Sequence, residues 1–254
     1  MMRNLETRGV LALLVVAAAC GTKEAPGPLE PSGPTGRVRF VNMITDTTRG
    51  RVNAILEGVP FGVNLTYGQS TPATLPAPST ANYSAILAGN RTMLLKRTAD
   101  TATVVATVAF AVGSGQDQTV YAIGGASGSV VTSFVVEDAN PDIAATATRL
   151  RVVNLAPTAG AVDVFVTAAN ADLATATPTF GNLAYKSAST YATPSPGSYQ
   201  IRAVPAGTAP AARAAAVVVN LASLGLAGGA GRTVVIGDRN VGGIPLTTFV
   251  LTDR

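Results

Sequence analysis

The chain has 254 residues, of which 47% are hydrophobic and only 13% charged, with a formal net charge of +4 and neither His nor Trp. That length suits two domains. Without His there is no Ser-His-Asp or Cys-His catalysis and no imidazole metal ligand, and scattered Arg residues with few aromatics do not make the basic, stacking surface that nucleic-acid binding needs.

Residues 1–20 read as a secretion signal. Arg3 and Arg8 mark a short basic start, and an apolar run over residues 9–19 follows. A membrane-spanning helix needs about 20 apolar residues, so this run is too short to serve as one. It ends in Ala17-Ala18-Ala19-Cys20-Gly21, and Cys20 is the only cysteine of the chain. This ending resembles the lipobox of bacterial lipoproteins, which implies lipid attachment at Cys20. An oxidising compartment otherwise favours paired cysteines or none. Residues 21–36, with Pro26, Pro28, Pro31 and Pro34, read as a disordered tether. At about 3.1 Å per residue it reaches at most roughly 50 Å. Gly21 in place of Asp after the cysteine implies, by the same resemblance, sorting to the outer membrane of a bacterial cell envelope, on its periplasmic or its surface face.

From residue 37 the chain is written twice. Arg37-Val38-Arg39-Phe40-Val41-Asn42 returns as Arg149-Leu150-Arg151-Val152-Val153-Asn154, and Asn64-Leu65-Thr66-Tyr67 as Asn182-Leu183-Ala184-Tyr185. Val120-Tyr121-Ala122-Ile123-Gly124 returns as Thr233-Val234-Val235-Ile236-Gly237, and Thr132–Asp138 as Thr247–Asp253. Four echoes in order, at nearly constant spacing, define modules at 37–138 and 149–254 joined by a linker at 139–148. Alternation of period two predicts strands at 37–42, 52–56, 69–75, 83–88, 91–97, 103–112, 119–124 and 130–137 in the first module. In the second it predicts 149–154, 162–167, 186–192, 199–204, 213–221, 232–237 and 245–252. Gly89-Asn90 reads as a tight hairpin turn. The apolar run at 211–231 contains Arg213, Asn220 and several glycines, and reads as a strand followed by a Gly-rich loop. Many short strands punctuated by Gly and Pro predict an all-β chain of two tandem Ig-like antiparallel β-sandwiches.

The repeated Arg-x-Arg strand, Val162-Asp163-Val164-Phe165-Val166, the Asn-Leu-x-Tyr motif and Pro196-Gly197-Ser198-Tyr199 together resemble the DUF4397 family. The resemblance covers 37–138 and 149–254 and implies β-rich extracytoplasmic domains, often in tandem, of unknown function. The first module departs from the pattern at Asn53, where the family has Asp, and at Thr80-Ala81-Asn82, which replaces Pro-Gly before Tyr83.

Few residues suggest chemistry. Gly124-Gly125-Ala126-Ser127-Gly128 lacks the Gly-x-Ser-x-Gly spacing of a nucleophile elbow. Glu137, Asp138 and Asp253 could supply paired carboxylates for a His-free glycoside hydrolase, although their place at strand ends reads as solvated. The Arg37/Arg39 and Arg149/Arg151 pairs read as a solvated strand face that discourages edge pairing, with an anion or glycan contact as the functional alternative. Tyr67 pairs with Tyr185, Tyr83 with Tyr199 and Phe134 with Phe249 as repeated core positions, leaving Tyr121 and Tyr191 without counterparts. Asp138, Asn140 and Asp142 have the opening spacing of a calcium loop, but no Gly or Glu follows where such a loop needs them, and a polar linker explains them equally. No catalytic, cofactor or metal residue is assigned. The sequence reading is a non-enzymatic envelope lipoprotein, held to the membrane by its lipid, that binds or scaffolds another envelope protein or a polysaccharide; the alternatives are a surface adhesin or glycan binder and a carboxylate hydrolase.

Overall fold

The computed structural model describes residues 33–72, 82–125, 128–239 and 245–253. Cys20 and all but the last residues of the tether lie outside them. Residues 31–254 form one compact unit.

Among the described residues every regular element is a strand apart from two 3-10 turns at Pro157–Ala159 and Pro210–Ala212. The first half holds β1 (Thr35–Ile44), β2 (Val52–Leu56), β3 (Val59–Leu65), β4 (Ser70–Thr71), β5 (Ser84–Leu87), β6 (Gly89–Arg97), β7 (Asp100–Val112), β8 (Asp117–Gly124) and β9 (Val131–Asp138). The second holds β10 (Arg149–Leu155), β11 (Val162–Thr167), β12 (Phe180–Leu183), β13 (Ser187–Ala188), β14 (Gly197–Pro205), β15 (Val219–Leu226), β16 (Gly231–Gly237) and β17 (Thr247–Thr252).

The sheets repeat strand for strand. The first half orders β4-β1-β8-β9, with β5 also on β1, over β3-β2-β6-β7; the second orders β13-β10-β16-β17 over β12-β11-β14-β15. In place of a second β5 there is a single bridge between Leu150 and Ala192. Among the described residues no sheet mixes strands from the two halves. Each pair of sheets closes over its own core, with Val38, Phe40 and Val120 facing Val52, Met93, Leu95 and Phe110 in the first half. In the second, Val152, Val234 and Ile236 face Val162, Val164 and Ile201.

Two strand pairs depart from the expected antiparallel arrangement. β1 runs parallel to β8, from Arg37 opposite Asp117 to Ile44 opposite Gly124, and β10 runs parallel to β16. A parallel pair needs a long crossover, and here the strands of the facing sheet supply it. These strands are buried on both faces. One face of β1 enters its own core. The other enters a seam where Val41, Met43, Tyr121, Ile123 and Val136 meet Val153, Leu155, Val235 and Leu251 of the second half.

Several local expectations change. Gly89-Asn90 is not a hairpin turn, because β5 pairs with β1 while β6 pairs with β2 and β7. The chain steps between sheets there, with Gly89 at φ 113°, a conformation that suits glycine. Of the strand expected at 69–75, residues 73–75 lie outside the described residues and the rest holds β4, while the longer neighbouring strand is β3, whose Pro60 and Gly62 weaken its sequence signal. In the same way 186–192 shrinks to β13, with β12 before it. The strand expected at 213–221 starts at Val219. The alanines before it form turns, Ala216 N–H donating to the Ala212 carbonyl, consistent with alanine's low strand preference.

Asn42 and Asn154 tie each sandwich together. Asn42 Nδ2 donates to the carbonyls of Gly50 and Leu65 at 2.6 and 2.9 Å, and its Oδ1 accepts from Ile44 N–H at 3.1 Å. Asn154 repeats this with Gly160, Leu183 and Ala156. Asn64 and Asn182 both turn at positive φ, 56° and 50°. Their N–H groups donate to Asn53 Oδ1 and Asp163 Oδ1, each at 2.8 Å, so Asn53 does in the first half what Asp163 does in the second.

Replacing Asn42 with Ala leaves two buried carbonyls and one N–H without their partner. Each such loss costs about 1–3 kcal/mol, and partial relaxation brings the expected total to about 2–4 kcal/mol. Urea denaturation of Asn42→Ala and Asn154→Ala checks this; a loss below about 0.5 kcal/mol, the usual range for a surface change, would contradict it.

Candidate functional site at the seam

β1 and β10 each send an arginine across the seam. Arg39 and Arg151 are 1% and 2% exposed, so their solvated-face reading is wrong. Arg39 Nε and Nη2 donate to Thr119 Oγ1 at 3.1 and 2.9 Å, within its own half. Its Nη2 also donates to Asp253 Oδ1 at 2.8 Å, and Nη1 to the Thr252 carbonyl at 2.8 Å, both in the other half. Arg151 mirrors it: Nε to Thr233 Oγ1 at 2.9 Å, Nη1 to the Glu137 carbonyl at 3.0 Å, and Nη2 to Asp138 Oδ1. The Thr119 and Thr233 hydroxyls in turn donate hydrogen bonds to Asp138 and Asp253 at 2.5 and 2.6 Å. The result is a closed ring, Arg39–Thr119–Asp138–Arg151–Thr233–Asp253, with an approximate twofold relation between its halves.

A tyrosine flanks each arginine. The Arg39 guanidinium lies 4.7 Å from the Tyr83 ring centre and that of Arg151 4.9 Å from Tyr191, distances at which a ring face attracts a cation. Ser84 pairs with Val38, and Ala192 with the equivalent Leu150. The counterpart of Tyr83 is therefore Tyr191, not Tyr199. Tyr121 is a seam residue, fully buried, with its ring stacked near Phe134. One echo also shifts by one residue. Thr119 lies opposite Arg39 as Thr233 lies opposite Arg151, so Tyr121 corresponds to Val235, and Gly125 to Arg239.

Burial alone would lower both arginine pKa values. The phenols and carboxylates around them, Tyr83 and Asp253 for Arg39 and Asp138 for Arg151, reverse this and raise both. Burial first of all pushes Tyr191 up to about 12, and it raises Tyr67, Tyr83 and Tyr121 as well.

The other candidate residues separate. Asp138 and Asp253 are buried inside the ring and not solvated at strand ends, whereas Glu137 is exposed. Asp138 accepts from Arg151, Thr119 and Tyr83. Asn140 instead reaches back to Asp117, its Nδ2 donating to Oδ2 at 2.8 Å. Asp138 and Asn140 are thus each engaged by other side chains. Arg37 clasps Asp117 through two hydrogen bonds of 2.6 and 2.5 Å.

Along the seam, where Tyr67 and Phe249 pack against its apolar cluster, Thr66 and Tyr67 of the first half and Arg239, Thr247 and Phe249 of the second line a groove of about 400 Å³. The Tyr67 and Phe249 rings meet edge to face, centres 5.1 Å apart. Tyr67 Oη donates to the Asp238 carbonyl at 2.6 Å. Gly68 is required here, because a Cβ would lie 1.9 Å from Phe249 Cε1. Thr119, Thr233 and this groove escaped the sequence reading. The threonines were detectable, since each lies near the start of a repeated apolar strand, but the one-residue slip hid their equivalence.

These features define an all-β protein of two like halves locked by reciprocal ion pairs. A family model described as a domain of unknown function, DUF4397, matches residues 36–165. The match covers just over half the chain, and the chain belongs to that family. No curated protein matches it. Among solved structures, a leucine-rich repeat protein from Bacteroides thetaiotaomicron is similar over 82% of this chain and 26% of that one, with 13% identity and a TM-score of 0.18. This chain thus spans about a quarter of that structure's length, and the likeness is too low to carry an argument.

The tyrosines predict an alkaline limit. An unfolded tyrosine ionises near pH 10, while Tyr191 holds its proton to about 12 and Tyr67, Tyr83 and Tyr121 are also raised. The folded state then keeps protons that the unfolded chain releases. This contribution to stability is fully present below about pH 10 and is lost as pH rises through the folded values. The expected result is a urea midpoint that falls above about pH 10, with phenolate absorbance lagging in the folded protein. Ordinary titration of all six tyrosines in the folded state would contradict it.

Proposed function

We propose that the chain is a non-catalytic lipoprotein of the bacterial cell envelope, anchored through lipid on Cys20, that presents two DUF4397-like modules as one rigid body for binding or scaffolding. The second module's membership is supported by its identical strand order. The envelope location is supported by the signal and lipobox ending at Cys20. An outer-membrane position, on its periplasmic or surface face, follows from Gly21 after the cysteine. Its partner on this reading is another envelope protein or a polysaccharide.

One observation carries the non-catalytic part. Asp138 and Asp253, the carboxylates best placed for hydrolysis, are held by arginines and threonines inside the seam. A general acid or base must reach substrate, and these two serve the fold. The second reading, a glycan-binding surface protein, is favoured by the open groove at Thr66, Tyr67, Arg239, Thr247 and Phe249.

Lipidation decides the location. A single acyl chain anchors marginally and two or more anchor stably, at about 0.8 kcal/mol per buried CH₂. Wild-type chain is expected in the outer-membrane fraction and to take up labelled palmitate, and Cys20→Ser to be soluble and unlabelled. A Cys20→Ser variant that stays in the membrane with wild-type mass would contradict the assignment.

A further inference from the structure

The repeat singles out the seam groove. The twofold relation carries Thr66, Tyr67, Arg239, Thr247 and Phe249 onto Ala184, Tyr185, Gly125, Thr132 and Phe134. Both aromatic positions and one threonine are kept, and in the groove the kept rings pack on each other. Thr66 and Arg239 have no such counterpart, so one groove alone gains a hydroxyl and a guanidinium. Its volume of about 400 Å³ lies within the range of small-molecule pockets, roughly 300–1,000 Å³. Arg239 is exposed and makes no ion pair among the described residues. Among the described residues no carboxylate side chain lines the groove. Tyr67 Oη is committed to the Asp238 carbonyl, so Tyr67 offers its ring.

We propose that this groove binds a carboxylated sugar unit of an envelope polysaccharide. The sugar carboxylate sits on Arg239, its hydroxyls exchange hydrogen bonds with Thr66 and Thr247, and its C–H face lies against Tyr67 and Phe249. This inference rests on the binding reading above and names the ligand class. A guanidinium matches a carboxylate through two parallel hydrogen bonds, and aromatic rings bury the apolar side of a polar ligand. An anionic lipid surface is met by a cluster of several cations, whereas this groove has one. A neutral sugar would leave Arg239 unpaired. Because both halves line the groove, occupancy holds them together and stabilises the fold by mass action.

The test is calorimetric titration of the full detergent-solubilised chain with a hexamer of galacturonic acid and, separately, a neutral galactose hexamer. The acidic hexamer is expected to bind and to raise the melting temperature, and the neutral one to bind at least about tenfold more weakly, as loss of one charge-assisted contact implies. Arg239→Ala should weaken the acidic hexamer by the same factor without changing the unliganded melting temperature, since the side chain is exposed. Lys96→Ala makes the same charge change in the β6 strand, which lies in the sheet away from the seam, and should leave binding intact. Equal binding of the two hexamers, equal weakening by Lys96→Ala, or no heat from the acidic hexamer at millimolar concentration would each overturn the inference. If the chain ignores the acidic hexamer yet cross-links in cells to an envelope protein or another polysaccharide, this inference alone fails; if it cross-links to no envelope component, the binding reading fails with it.

Discussion

Six side chains closed into a ring decide how this molecule is put together. Arg39 and Arg151 each lie in one half and neutralise the terminal aspartate of the other, Asp253 and Asp138. Taking such charges out of water is costly, and replacing buried pairs with apolar residues is often neutral or stabilising. The contribution of the ring is therefore one of geometry. Removing one of its charged members leaves an uncompensated buried charge, which typically costs about 3–5 kcal/mol, so any docking that separates Arg from Asp is strongly disfavoured. Thr119 and Thr233 complete the satisfaction by accepting from an arginine and donating to a carboxylate, and buried polar networks are stabilising only when every member is satisfied.

The ring explains the rest of the fold around it. Because the central sheets meet face to face, β1, β8, β10 and β16 are buried on both sides. Each strand then serves two cores at once, its own sandwich through residues such as Phe40 and Val152 and the seam through Val41 and Val153. Asn42 holds the turn that carries Tyr67, and the pairing of β17 with β16 places Phe249 opposite it. In this way the seam that locks the halves also shapes a groove to which both contribute.

Much of the architecture was legible in the sequence, and what was hidden has physical reasons. The Arg-x-Arg strand, the all-β class and the equivalence of Asn64 with Asn182 follow from alternation and repetition. The burial of Arg39 does not. A period of two says that Arg39 and Val41 share a face, but whether that face meets water or another sandwich is a long-range fact. The Tyr83–Tyr199 match failed because the segment between Leu65 and Tyr83 is longer than that between Leu183 and Tyr191, which obscured the true counterpart. The glycines Gly124 and Gly237 drew one echo a residue out of register, and in a strand that slip exchanges the two faces. β3 was missed because an edge strand containing Pro60 and Gly62 carries little propensity. The groove is assembled from segments distant in sequence, and no local pattern announces it.

The central claim is that the two halves are one cooperative body and not two independent beads. Hydrogen exchange of the wild-type chain across a urea series tests it most directly, read in peptides from β6–β7 of the first half and β14–β15 of the second. The account predicts coincident midpoints for both halves, which separate when Asp138→Ala and Asp253→Ala are combined. Two distinct midpoints in the wild-type chain would contradict it.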